Sequence, residues 1–447
     1  MRIIAEAGKS VRKFLQEQKI KTGIYHASQF NYILKDEEYI LFNSFTRMIA
    51  VLTDEEYGIL TEGAITVTEE NAADPAVSEC IAKRLLVPVD LDESDSYQQM
   101  ADLLHLMRKS QDITDYTILT TTGCNARCFY CFEADFVPSA MKPETAEDLA
   151  DYIIEHCGGQ KVHLHWFGGE PLCNPNVIDL ICRKLQDAEI PYSGSVTSNG
   201  SLFTDELVKK AKEFWNITYV QITLDGMGEE HNRRKNYVNQ NFDPFAVTIA
   251  NIHRLIENGM VVNIRLNFDG NNIESINQLI NYLIKEFPAC ENLAVYPAML
   301  FEDCAAWQSG RSAAEQEKLQ KQLFTFRDRL QELKLFGPPK IQSDFKYVYC
   351  GSNNEKHRTV NPDGTFSVCH NVGDNVTYGD IYSGITDEEE YDRWMNNRRI
   401  AEKCKTCRWL GECTAFDQCP ARRSTCREDM DDMMSRALLR AYKKSRK

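Results

Sequence analysis

Three cysteines sit within eight residues, in Thr122-Gly123-Cys124-Asn125-Ala126-Arg127-Cys128-Phe129-Tyr130-Cys131, a Cys-x3-Cys-x2-Cys spacing. Thiolates at such spacing are metal ligands before they are anything else. A structural zinc site wants four ligands, typically as two paired knuckles. Three thiolates on one loop suit three irons of a [4Fe–4S] cluster and leave the fourth iron open to an external ligand. The competing reading is a zinc site completed by a distant His, or three unligated thiols.

The chain holds 16 cysteines in 447 residues, and 11 of them lie either in that trio or after residue 300. The N-terminus, MRIIAEAGKSVRKFLQEQK, lacks a long apolar stretch and does not read as a signal peptide. No run of 18 apolar residues suggests a membrane span. The expected location is therefore cytoplasmic, with no membrane partner. Thiols are kept reduced there, so grouped cysteines read as cluster or metal ligands rather than disulfides. A second group, Cys350, Cys369, Cys404, Cys407, Cys413, Cys419 and Cys426, follows near the C-terminus. Judged alone, its Cys404-x2-Cys407 pair fits zinc knuckles as well as clusters. Cys80, Cys157, Cys173, Cys182 and Cys290 read as small core residues. The net charge of -15 argues against nucleic-acid binding through a basic surface.

Those cysteines need elements to position them. From residue 113 strands and helices alternate: DYTILTT, KVHLHWFGG, SGSVTSNG, TYVQITLDG, VVNIRLNFDG and NLAVYPAML are each followed by a helical pattern. Six β-α units require a parallel sheet with right-handed crossovers. Six units fall short of a closed eight-stranded barrel, so the expected fold is α/β, a partial, open (β/α)6 TIM-like barrel. Reactive groups in such sheets gather at the carboxyl ends of the strands. Cys124, Gly168, Ser198, Asp225 and Asn267 all fall at or just after a strand.

Residues 29–90 carry short strands around a KDEE turn, then a helix beginning at Thr53 with Glu56 three residues on, a capping-box spacing. A second helix, DPAVSECIAKRLLV, follows. This is a small α+β module, near the lower size limit for an independent fold. Beyond about residue 340 periodicity fades, and a loop-rich segment with little core needs metal staples. The expected divisions are 1–100, 113–335 and 345–447.

The trio after the first barrel strand resembles the radical S-adenosylmethionine superfamily. Gly168-Gly169-Glu170-Pro171, Thr197-Ser198-Asn199-Gly200 and Thr223-Leu224-Asp225-Gly226 resemble its later motifs, in order, on three further strands. His231 and Arg234 follow with a familiar spacing. The resemblance implies that Cys124, Cys128 and Cys131 hold a [4Fe–4S] cluster whose open iron is chelated by S-adenosyl-L-methionine. Reductive cleavage would then give methionine and a 5′-deoxyadenosyl radical. It implies Tyr130 near the adenine, and Gly168, Gly169, Glu170, Ser198, Asn199, Thr223, Arg265 and Asn267 around the cofactor. Glycines allow close backbone approach, and Arg suits a carboxylate.

The C-terminal cysteines, with Gly364-x4-Cys369 and Cys404-x2-Cys407-x5-Cys413, resemble the SPASM extension, which carries two auxiliary [4Fe–4S] clusters. The resemblance assigns Cys404, Cys407, Cys413 and Cys426 to the outer cluster, and Cys350, Cys369 and Cys419 to the inner. Two intervals depart from the usual pattern: Cys350 to Cys369 is long, and five residues rather than three separate Cys413 from Cys419. The inner cluster is one ligand short, and Cys304 or a substrate thiolate could complete it.

Residues 29–90 resemble a winged-helix-like leader-recognition module of peptide-modifying enzymes. Together these resemblances imply a maturase that installs a thioether or carbon–carbon crosslink in a ribosomally made precursor peptide with a leader. A flavodoxin- or ferredoxin-type protein would supply electrons, and Glu302 or Asp303, after the sixth strand, could serve as base. Two other readings remain open: a sulfatase-maturase-like, formylglycine-forming enzyme, and a non-catalytic zinc or iron–sulfur scaffold that binds a peptide.

Overall fold

The structure is a computed structural model. It describes residues 1–8, 11–12, 15, 19–107, 112–134, 137–288, 290–300, 312–337, 340–341, 351–370, 376–395, 400–412 and 426–446. Glu302, Asp303, Cys304, Cys350, Cys413 and Cys419 lie outside the described residues.

The N-terminal part folds into two small antiparallel sheets. Strands β1 (Arg2–Ala5), β3 (Asn31–Lys35), β4 (Tyr39–Asn43) and β5 (Ile49–Leu52) form one, in the order β1-β5-β4-β3. Strands β2 (Gly23–Ala27), β6 (Ile65–Val67) and β7 (Leu86–Pro88) form the other, in the order β6-β2-β7. The helix Asp54–Thr61 opens on the capping box: Glu56 N–H donates to the Thr53 hydroxyl and Thr53 N–H to the Glu56 carboxylate. The helix Pro75–Ala82 is capped by Asp74, with Pro75 at its first position, where a missing N–H costs nothing.

The β-α alternation yields six parallel strands: β8 (Asp115–Thr121), β9 (Val162–Gly168), β10 (Tyr192–Ser198), β11 (Ile217–Leu224), β12 (Val261–Phe268) and β13 (Leu293–Met299). Their connecting helices are amphipathic. Pro175–Asp187, for example, buries Val177, Ile178, Ile181, Cys182 and Leu185, one stripe of a 3.6-residue period. Along each strand alternate residues face opposite sides. On β9, Val162, Leu164 and Trp166 enter the core beneath the helices, as do Val262, Ile264 and Leu266 on β12. Cys80, Cys157 and Cys182 are fully buried, as expected of core thiols, whereas Cys173 is exposed and Cys290 only half-buried.

The C-terminal region extends the barrel sheet. Strand β14 (His357–Val360) pairs in parallel with β8, aligning His357 with Asp115 and Val360 with Ile118. Strands β15 (Thr365–Ser367), β16 (Thr377–Asp380) and β17 (Gly384–Ile385) continue the same sheet antiparallel, making ten strands. The helix Cys426–Ser445 then returns to the N-terminal part. Its Met434, Leu438 and Tyr442 pack on Ile40, Phe42, Ile49 and Val51 of the four-stranded sheet. No helix among the described residues is long and apolar enough to cross a membrane.

Candidate active site

The cysteine loop leaves the carboxyl end of β8, where the ends of β9 and β10 help to hold it. Thr121 and Thr122 hydroxyls donate to the carbonyls of Ser139 and Val137, at 2.8 and 3.0 Å. From the end of β9, Gly169 N–H donates to Thr121 O and Glu170 N–H to Gly123 O, both at 3.0 Å. From the end of β10, Asn199 Nδ2 donates to Asn125 Oδ1 at 2.7 Å. Beyond β11, the carbonyl of Lys235 accepts from Arg127 N–H at 2.9 Å. The four motifs that sequence places on four strands therefore meet around one loop.

The two glycines are demanded by that loop's backbone. Gly168 has φ +124°, and a Cβ there would collide with the Thr121 carbonyl. A Cβ on Gly169 would lie 2.5 Å from Gly123 O and 2.6 Å from Thr122 O. Both glycines also line a cavity of about 780 Å³, together with Cys124, Cys128, Cys131, Tyr130, Ser198, Asn199, Thr223, Arg265 and Asn267.

Glu170 is fully buried. Its carboxylate accepts from Ser198 Oγ (2.9 Å), Asn199 N–H (2.8 Å) and Leu172 N–H (3.2 Å), so it ties the end of β9 to that of β10. Burial pushes its pKa up to about 7, against the pull of those hydrogen bonds and of Lys235. Arg265 Nε donates to Asn267 Oδ1 at 2.9 Å, fixing both side chains on β12.

Beside the trio, half-buried Tyr130 meets the buried Asp225 and Lys235. Tyr130 OH donates to Asp225 Oδ2 at 2.5 Å, and Lys235 Nζ approaches Tyr130 OH at 3.0 Å and Asp225 Oδ2 at 3.5 Å. Burial opposes the Lys235 ammonium, but Asp225 and Cys128 hold its pKa above the ordinary value. Lys235 went unnoticed in the sequence because its helix, Gly228–Lys235, has no apolar stripe. The signal was Arg-Arg-Lys in the last turn, just past a strand end. Lys235→Met leaves Asp225 buried without that cation. Removing one partner of a buried pair costs about 3–5 kcal/mol. We expect a correspondingly lower denaturation midpoint for the metal-free protein; an unchanged midpoint would mean that Asp225 does not depend on Lys235.

The thiols fit a cluster. Burial pushes Cys124 up to about 12 and Cys131 up to about 11, with the other cysteines of the trio contributing. Ala126 N–H points at Cys124 Sγ, 3.4 Å away, as amides do toward a thiolate ligand. The buried Asp225 Oδ1 has no hydrogen-bond partner among the described residues, leaving an acceptor for a ligand.

Behind the trio the barrel lumen is polar. Closed barrels fill this space with branched apolar side chains. Here the inward positions include His163, His165, Ser193, Ser195, Thr197, Gln221, Asn263 and Tyr296. Hydrogen bonds link Thr197 to His165 (3.3 Å), His165 to Ser195 (2.8 Å) and Ser195 to His163 (3.0 Å). His165, Phe167, Tyr219, Gln221 and His370 line the cavity. Burial lowers the imidazoles of His165 and His370 to about 4, so both are neutral at pH 7. The alternation in V-H-L-H-W-F was the available signal: polar residues occupied the face that a packed core would make apolar.

Of the C-terminal cysteines, Cys369 is half-buried just after β15 and precedes His370. Cys404 and Cys407 sit on one tight turn, with Cys407 N–H donating to Cys404 O at 2.9 Å. Cys426 begins the last helix. Burial raises the Cys407 thiol, and Cys404 and Cys426 raise it further. Thiols are the soft donors that iron–sulfur clusters take.

Comparison with known proteins agrees with this geometry. Residues 118–283 match the Radical SAM superfamily. The radical SAM cyclopropyl synthase TigE of Paramaledivibacter caminithermalis is 22% identical over 291 residues, covering 57% of this chain and 60% of TigE. The chain thus spans less than two thirds of that relative's length. Among solved structures, anSMEcpe with bound AdoMet aligns with TM-score 0.58 and 17% identity, over 74% of this chain and 99% of that one. SuiB of Streptococcus suis, bound to its precursor peptide SuiA, aligns with TM-score 0.53 and 14% identity, over 90% of this chain and 99% of that one. At such identity the likeness is one of fold.

Proposed function

We propose that this protein, whose residues 118–283 match the Radical SAM superfamily, is a peptide maturase that crosslinks a ribosomally made precursor. The observation that carries the proposal is the cavity joining the three thiols to a polar lumen. A ligand pocket of this size lies in the usual range for a bound small molecule, about 300–1,000 Å³. When bound, a [4Fe–4S] cluster and S-adenosyl-L-methionine supply a 5′-deoxyadenosyl radical that takes a hydrogen atom from the peptide.

The chain's own residues bind and orient. Cys124, Cys128 and Cys131 would hold the irons. Ser198, Asn199 and Thr223 offer hydroxyl and amide groups to a polar sugar, and Arg265 a guanidinium to a carboxylate. Tyr130, locked by Asp225 and Lys235, gives the pocket a rigid aromatic wall. Forming a thioether or carbon–carbon bond also releases one electron and one proton. An auxiliary cluster at the C-terminal cysteines would receive the electron. His165 places a neutral imidazole on the cavity wall. Glu302 and Asp303 remain candidates from their place after the sixth strand.

The N-terminal part supports a peptide with a leader. The four-stranded sheet is covered by the chain's own last helix, but β6 and β7 are edges of the three-stranded sheet, and Ile24 and Val89 beside them are exposed. An extended leader can add to such an edge by main-chain hydrogen bonds. The fold shared with SuiB covers 90% of this chain, against 74% for anSMEcpe. A flavodoxin- or ferredoxin-type donor is the proposed source of electrons. A second reading, formylglycine formation, would use the same thiol trio and cavity.

Anaerobic co-expression with short peptides encoded beside the gene separates these readings. A crosslinking enzyme should remove two hydrogens per bond and leave no aldehyde. A product that reacts with a hydroxylamine probe would favour formylglycine instead. Unmodified peptides and no 5′-deoxyadenosine would contradict both.

A further inference from the structure

The turn that carries Cys404 and Cys407 has almost no core of its own. Its two large apolar residues are inserted into the N-terminal part of the chain instead. Trp409, 1% exposed, stacks against Tyr32 and Phe42, with ring centroids 4.9 and 6.4 Å away. Leu410 packs with Phe30, Phe45, Tyr97 and Met100. The last helix closes the arrangement: Asp431 accepts from Trp409 Nε1 at 2.7 Å, five residues after Cys426.

The polar contacts come from the turn between β4 and β5. Ser44 Oγ donates to the Arg408 carbonyl. Gly411 lies so close to the Ser44 carbonyl that a Cβ on Gly411 would collide with it. Arg47, 1% exposed, pairs with Glu412, 7% exposed, and its Nη1 donates to Ser44 O at 3.3 Å and Gly411 O at 3.4 Å. Arg47 itself holds φ +63°, a backbone conformation that a long side chain rarely adopts. On the other side, Gln29 Nε2 donates to Lys405 O at 2.9 Å.

We infer that the β4–β5 turn is a built part of the outer auxiliary cluster site, with Arg47 as its positioning residue. Buried ion pairs are best attested as devices of register rather than of stability. Here the pair sets the register of Gly411-Glu412 against Ser44. The turn also carries Cys404 and Cys407, so the same contact orients the thiols of both. The inference rests on the assignment of Cys404, Cys407, Cys413 and Cys426 as ligands of one cluster.

The test uses the full chain, reconstituted anaerobically with iron and sulfide: wild type, Arg47→Met, Glu412→Gln, and the swap Arg47→Glu with Glu412→Arg. With three four-iron clusters, wild type should hold about 12 irons. Arg47→Met and Glu412→Gln should each lose up to about a third of the iron, or shift the potential of one cluster, while the paramagnetic signal that responds to S-adenosyl-L-methionine is kept. The swap should recover part of the loss. Glu412→Gln conserves size and decides the matter should Arg47→Met fold poorly. Unaltered iron and potentials in Glu412→Gln would overturn the inference. Wild type with only about four irons would instead overturn the assignment of the auxiliary ligands.

Discussion

Cys128→Ala should reduce 5′-deoxyadenosine formation to background. Three thiolates leave one iron of a four-iron cluster open, and removal of one thiolate leaves two. Neither neighbouring thiol can substitute: the loop is fixed by Thr121 and Thr122 to residues 137–139, by Asn125 to the end of β10 and by Arg127 to the end of the helix Gly228–Lys235. Cys128 itself sits beside the Lys235 carbonyl, 3.8 Å from its Sγ. Iron should fall by about four per chain, with the auxiliary signals intact. The measurement is nucleoside release under excess reductant, by chromatography. Retention of more than a trace would mean that the trio does not hold the cluster that cleaves S-adenosyl-L-methionine.

Gly169→Ala should be nearly as damaging, although it removes no chemical group. Its Cβ would lie 2.5 Å from Gly123 O and 2.6 Å from Thr122 O, both backbone atoms. No side-chain rotation can relieve that contact, so the cysteine loop must move. Overpacking of this kind costs about 1–3 kcal/mol, and each ~1.4 kcal/mol placed on the transition state is tenfold in rate. We expect nucleoside formation to fall about tenfold or more, with weaker cofactor binding. Gly270→Ala is the control, since a Cβ there meets nothing within 4 Å. Equal rates for the two variants would show that the close approach of β9 to the loop is dispensable.

The sequence was most informative where chemistry and local geometry coincide. Cys-x3-Cys-x2-Cys, the glycine pair and the Ser-Asn and Asp-Gly pairs each end a strand, so the parallel sheet brings them together without further information. The strands themselves were legible because apolar residues alternate beneath amphipathic helices. What the sequence hid depends on contacts between distant segments. Strand β14 is four residues long and pairs with β8 across more than 200 residues, so neither length nor periodicity could announce it. Arg47 and Glu412 are ordinary surface residue types that become buried only when the two ends of the chain meet. The polar lumen was visible in principle, because His163, His165, Asn263 and Arg265 alternate with core residues. Alternation by itself specifies a strand with two unlike faces, and it leaves open whether the polar face meets bulk water or an enclosed chamber.

The vacant iron is tested most directly by electron paramagnetic resonance of the reconstituted, reduced protein before and after S-adenosyl-L-methionine is added. The expected result is a [4Fe–4S] signal that changes shape with the ligand, survives alanine replacement of Cys369, Cys404, Cys407 and Cys426, and vanishes in Cys128→Ala. An iron signal indifferent to the ligand, or zinc in place of iron at the trio, would contradict it.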